Sequence, residues 1–139
     1  MNYINKRKII DYEIKEDYKN EYKVIFVGES GIGVKSTLIN RIMGIEFDEN
    51  INSTMTCRFE AKHVDIGNKE ELILNLWDTI GQEKIRQITK IFLKDSDCVV
   101  LGYDVTNKRT FEEIKNYWYP YIKDNLECKL IYLVGNKIE

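Results

Sequence analysis

Between Val27 and Leu38 the chain reads Gly28-Glu29-Ser30-Gly31-Ile32-Gly33-Val34-Lys35-Ser36-Thr37, and no other segment limits the fold as strongly. Ahead of it, Tyr22 to Val27 is a short apolar run with the character of a buried strand. Behind it, Lys35 to Met43 carries Leu38, Ile39, Ile42 and Met43 at helical spacing. A glycine-rich turn between a strand and a helix lets backbone amides face inward, and with the helix N-terminus they form a concave, positively polarised hollow. A lysine there adds charge at the β and γ phosphates of a nucleotide, and the hydroxyl beside it is a hard oxygen ligand for Mg²⁺. The order strand, loop, helix is the context such a phosphate-binding loop requires.

The rest of the chain alternates in the same way. Arg58 to Ile66 and Glu71 to Trp77 read as two strands joined around Gly67-Asn68, a hairpin signal, with Leu72, Leu74 and Leu76 alternating against Ile73 and Trp77. Glu83 to Leu93 places Ile85, Ile88 and Phe92 at helical spacing. Cys98 to Tyr103 reads as a buried strand, Thr110 to Asn125 as a helix capped by Asn107 or Thr110, and Leu130 to Val134 as another buried strand. Pro120 lacks an amide hydrogen and its ring collides with the preceding turn, which predicts a kink or break near Tyr119. Strands alternating with helices predict an α/β fold, a mostly parallel sheet covered on both faces.

Residues 1–21 lack a sustained period and are expected to form a charged N-terminal arm, although Ile9, Ile10 and Ile14 offer a weak apolar stripe. Residues 22–139 form one domain in this reading, with no repeat or linker to suggest a second. Lys plus Arg total 21 against 23 Asp plus Glu, a net charge of −2, so nothing draws the chain broadly to nucleic acid or anionic lipid. Cys57, Cys98 and Cys128 are odd in number and form no C-x-x-C pair, which argues against a disulfide framework and a zinc site and for free thiols in a reducing cytoplasm. His63 has no ligand partner at metal spacing and is read as a surface or structural residue.

Two further motifs share the chemistry of the first. Trp77-Asp78-Thr79-Ile80-Gly81-Gln82-Glu83 follows a strand, where an acid can reach Mg²⁺, a glycine amide can meet a γ phosphate and a glutamine can orient water. Gly135-Asn136-Lys137-Ile138-Glu139 follows the last apolar strand, where a carboxylate can accept the guanine N–H groups that adenine does not present. The three motifs, in this order and spacing, resemble the Ras superfamily of small GTPases. Phe47 stands seven residues before Thr54, the family's spacing between a guanine-contacting phenylalanine and its first switch threonine. Ser53-Thr54 followed by Phe59, Leu76-Trp77, Lys84 to Thr89 and Tyr103 to Thr106 are most similar to the Rab branch, whereas Trp118-Tyr119-Pro120 resembles a Rho-type helix.

The resemblance implies a P-loop NTPase fold with one antiparallel hairpin strand, whose last strand and helix are expected to be missing after Glu139. It implies nucleotide contacts from Ser30, Gly31, Ile32, Gly33, Lys35, Ser36, Thr37, Phe47, Thr54, Gly81, Asn136, Lys137 and Glu139. Mg²⁺ would be held through Ser36, Thr54 and Asp78, and Gln82 would be the catalytic residue. The function implied is a GTP- and GDP-binding switch in vesicle trafficking that hydrolyses GTP slowly. Residues 47–56 and 81–93 would meet effectors, exchange factors and GTPase-activating proteins, and in relatives an aromatic at Trp77 joins that surface. The chain is expected to be a cytoplasmic monomer, at most on the cytosolic face of endomembranes, without nucleic acid and without the prenylated cysteines that anchor relatives.

Three departures from the family pattern bear on this. Val34 separates Gly33 from Lys35, one residue more than the pattern, and the match of Leu38, Ile39, Asn40 and Arg41 assigns the addition to the loop. An extra residue adds up to ~3.3–3.6 Å of chain. Weaker nucleotide binding is therefore expected, and its limit is a pseudo-GTPase that acts only through its surface. Ile80 replaces a small alanine and crowds the second switch, while Glu139 replaces an aspartate and moves the base-reading carboxylate by one methylene.

Overall fold

The computed structural model describes residues 19–28, 34–46, 57–79, 86–128 and 130–137. Its centre is β1 (Glu21–Val27), which pairs in parallel with β3 (Glu70–Asp78) on one side and with β4 (Cys98–Asp104) on the other. β2 (Arg58–Gly67) joins β3 antiparallel and β5 (Leu130–Asn136) joins β4 in parallel, giving the order β2-β3-β1-β4-β5. The mostly parallel α/β sheet with one antiparallel pair is the architecture expected from the alternation of elements.

Period-2 patterning places β1 at the centre. Ile25 and Val27, both 0% exposed, point to one face, and Val24 and Phe26 to the other. The first face packs on α2 (Arg86–Leu93), α3 (Lys108–Glu113) and α4 (Tyr119–Asn125) through Leu93, Ile114, Trp118 and Ile122. The second receives Ile39 of α1 (Val34–Ile42) against Phe26 and Leu76. Each such side chain taken out of water contributes about 1.5–3 kcal/mol before entropy is subtracted.

The hairpin forms where expected, its turn made by Asn68 and Lys69 at φ 55 and 64 after Gly67 at φ 88. The side chain of Asp65 accepts from the Gly67 amide at 2.7 Å and shifts the register by a bulge. Asn107 caps α3 by accepting from the Arg109 amide at 3.1 Å.

Three expectations need correction. Pro120 does not break its helix: Ile114–Trp118 widens into a π-helical turn in which the Tyr119 amide donates to the Ile114 carbonyl, and Pro120 enters the first turn of α4. There its missing amide costs no intrahelical bond. Of the apolar stripe on α2, Ile88 is 45% exposed, and the buried residues are Thr89 and Leu93. Nor is β5 a buried strand, because Leu130, Tyr132 and Leu133 are each more than half exposed. β5 is an edge strand, and no described helix covers its outer residues.

Candidate functional site

β1 and β3 run parallel and end side by side, with Phe26 level with Asp78, so the residues following β1 and the last residue of β3 meet at one edge of the sheet. Ligands of open α/β sheets bind beyond such carboxyl ends. β1 ends in Gly28 at φ 153, where an added Cβ would lie 2.2 Å from the Gly102 carbonyl oxygen of β4. Only glycine lets the chain turn there. The Thr79 hydroxyl donates to the Phe26 carbonyl at 2.7 Å and ties the end of β3 to β1.

Three predicted residues come together at this edge. Lys35 reaches back from the first turn of α1 and its amine donates to the Gly28 carbonyl at 2.9 Å. Ser36, next in sequence, donates its hydroxyl to Asp78 Oδ2. Lys35, Ser36 and Asp78 are 5%, 6% and 0% exposed, a lysine, a hydroxyl and a carboxylate in one buried cluster. Burial pulls the Lys35 amine down to about 8, and nearby Asp78 only partly offsets that. The site thus holds a poised cation that an incoming anion would stabilise in its charged form.

The helix begins at Val34, so the added residue lies in the first turn of α1 rather than in the preceding loop. Lys35 and Ser36 still face Gly28 and Asp78. Thr37 follows them in α1 and is half-buried.

The second group lies at the end of β5. Asn136 closes that strand opposite Asp104, and its carbonyl accepts from the Val105 amide at 3.0 Å. Lys137 turns off with φ 66 and its amine donates to Asp104 Oδ2 at 2.7 Å. The other carboxylate oxygen of Asp104 accepts from the amide and hydroxyl of Thr106, at 2.9 and 2.6 Å. Hydrogen bonds from Lys137 and Thr106 hold the Asp104 carboxyl below its ordinary range. Asp104 has no role in the sequence reading; the Asp-x-Thr spacing after a strand is the signal that could have found it.

Aromatic rings form a third feature. Phe59 of β2 lies edge-on to Trp77 at 5.0 Å between centroids, and Trp77 is 5.6 Å from Phe92 of α2. α2 is held to the neighbouring helix by Arg86, which bonds Glu113 and stacks 3.9 Å over the Tyr117 ring. Burial raises the Cys57 thiol above its ordinary value, so it is not an activated nucleophile.

Ser30, Gly31, Ile32, Gly33, Phe47, Thr54, Ile80, Gly81, Gln82 and Glu139 lie outside the described residues. Among those described, no helix is long and apolar enough to cross a membrane.

The profile of the Ras family matches residues 23–139. Among curated proteins, the chain is 39% identical over 124 residues to Ras-related protein SEC4 of Saccharomyces cerevisiae, covering 88% of this chain and 56% of that one. It is 37% identical over 125 residues to Ras-related protein RABG1 of Arabidopsis thaliana, covering 87% and 60%. With a probable Rab-related GTPase of Acanthamoeba polyphaga mimivirus it shares 35% identity over 128 residues, covering 91% and 59%. The chain therefore spans a little over half the length of these relatives.

Proposed function

The chain belongs to the Ras family, and from that membership we propose that it is a guanine-nucleotide-dependent switch, binding GTP and GDP and hydrolysing GTP slowly in the service of vesicle traffic. The buried cluster of Lys35, Ser36 and Asp78 beneath Gly28 is the observation that carries this reading. In it Lys35 exchanges the Gly28 carbonyl for phosphate oxygens, and the first-turn amides of α1 face the same anion.

Ser36 and Asp78 are adjacent hard oxygen donors, a set that suits Mg²⁺ and not a soft metal. Bound there, with Thr54 as a further ligand when a γ phosphate is present, the ion would neutralise charge between the β and γ phosphates. Asn136 and Lys137, fixed by Asp104, would frame the base together with Phe47 and Glu139. Gln82 would orient the attacking water, beside Gly81 on the γ phosphate, while an activating partner supplies further charge.

Residues 47–56 and 81–93 are the surfaces assigned to effectors, exchange factors and activating proteins. The Phe59-Trp77-Phe92 column lies between them and supplies an aromatic anchor, with Phe59 49% exposed. Such partners place the protein at the cytosolic face of endomembranes.

Titration with a fluorescent GDP analogue tests the reading. Saturable, Mg²⁺-dependent binding in the micromolar range, competed by GDP and GTP but not by ADP, is the expected result. Deleting Val34 should tighten it. Absence of saturable binding up to millimolar analogue would leave a pseudo-GTPase surface module instead.

A further inference from the structure

On the face of the sheet beside α1 runs an apolar trough of about 590 Å³. Leu38 and Ile42 form one wall, Leu74 and Val100 the floor, and Leu130 and Tyr132 of the edge strand the far side. Leu130 and Tyr132 are 52% and 55% exposed. Apolar surface gathered into one concavity in this way marks an interaction site, unlike scattered single residues.

The path of the chain identifies the occupant. Asp97 and Tyr22 line the trough, and Lys19 is bound to both, with its amine paired to the Asp97 carboxylate and 5.3 Å above the Tyr22 ring. The Lys23 amide also donates to Asp97, at 2.7 Å, so this corner is fixed. The residues preceding Lys19 therefore start from the trough's rim. Ile10 and Ile14, four apart, share one side of either a helix or a strand, while Asp11, Glu13, Glu16 and Asp17 supply the polar remainder.

We propose that the segment 1–18 is the trough's occupant, folding back across Lys19 to lay Ile10 and Ile14 between α1 and β5. Reach is sufficient: nine residues separate Ile10 from Lys19, up to roughly 30 Å of extended chain, against about 13 Å for the strand from Tyr22 to Phe26. A segment tethered this closely acts at about millimolar effective concentration, so modest apolar contact holds it in place. The inference is independent of nucleotide binding.

Cys98 lines the trough and reports on its cover, while Cys57 and Cys128 serve as internal references. Maleimide labelling of the full chain, resolved by peptide mass, is compared with Ile10→Asp/Ile14→Asp. The double variant should label Cys98 about ten times faster relative to Cys128. Equal ratios would overturn the proposal. A photoreactive benzophenone side chain at position 10 of the otherwise unchanged chain guards against a folding defect. Adducts to residues 130–134 of the same molecule support the arm as occupant; adducts joining two copies assign the trough to a second copy and overturn it.

Discussion

At the phosphate end of the candidate site Lys35, Ser36 and Asp78 are 6% exposed or less, whereas at the base end Lys137 keeps 38% of its side chain in water and only Asp104 beneath it is buried. The first end is built from consecutive residues of one helix against the ends of two adjacent strands. The second is a strand end and a left-handed residue held by one carboxylate. Charge withdrawn from water interacts strongly with whatever enters, and charge left in water is screened. Affinity should therefore reside at the first end, and discrimination between bases at the second.

Lys35→Met gives the widest separation between the ends. Truncating one partner of a buried charge contact costs about 2–5 kcal/mol, so affinity for GDP should fall roughly 100-fold or more by titration. The same change removes a cation that burial disfavours, so the melting temperature without nucleotide should hold or rise. A melting temperature that falls in step with affinity would mean that Lys35 is structural. Ser36→Ala should act next most strongly, lowering affinity about 10-fold through ~1–3 kcal/mol of lost hydrogen bonding and abolishing most of the effect of EDTA on GDP release. An unchanged EDTA effect would remove Ser36 from the metal set.

Legibility in the sequence divides along the same line. The phosphate end is local, since strand, glycine turn and Lys-Ser stand within fifteen residues and each signals its own geometry. Asp78 could be placed there because a strand of alternating leucines ends on it. Asp104 lies 33 residues from Lys137, and its role depends on β4 and β5 aligning Asp104 with Asn136, which no local pattern encodes. The misreading of β5 has a related cause. A continuous apolar run indicates burial on both faces but does not name the layers that provide it. In α2 the stripe at 88 and 92 was read correctly as helical, but it follows the sheet surface beside Trp77 while Thr89 and Leu93 enter the core. The π-helical turn before Pro120 was likewise illegible, because the ring announces a missing donor and not how the backbone will absorb it.

Asp104→Asn examines the base end. It leaves a neutral acceptor for Lys137, so the fold should survive while the corner loosens. Preference for GDP over ADP should fall about 3- to 10-fold, within the ~1–3 kcal/mol attached to one base-reading contact, and affinity for pyrophosphate should not change. Asp104's folded value is depressed, so its contribution to stability is present above the ordinary value of 3.8 and is lost as pH falls through the lower folded value. Acid unfolding of the wild type should accordingly lose a component below pH 4 that the variant lacks. Equal loss of pyrophosphate affinity would show that the two ends are not separable.

The smallest effect expected is also the most specific to the buried end. Lys35 titrates near 8 in the folded chain and at 10.5 when unperturbed, because burial penalises its charge. Between these values the unfolded chain binds the proton more readily, so stability without ligand rises as pH increases from 8 toward 10.5. A phosphate group beside the amine favours the charged form and raises its pKa again, so binding above pH 8 must take up a proton. Affinity for GDP should therefore decline several-fold between pH 7.5 and pH 9.5, the opposite of the stability trend. Calorimetry in two buffers of different ionisation heat should register fractional proton uptake near pH 8.5 in the wild type and none in Lys35→Met. Uptake persisting in that variant would move the titrating group away from Lys35, and with it the claim that burial of this one amine sets the strength of the phosphate end.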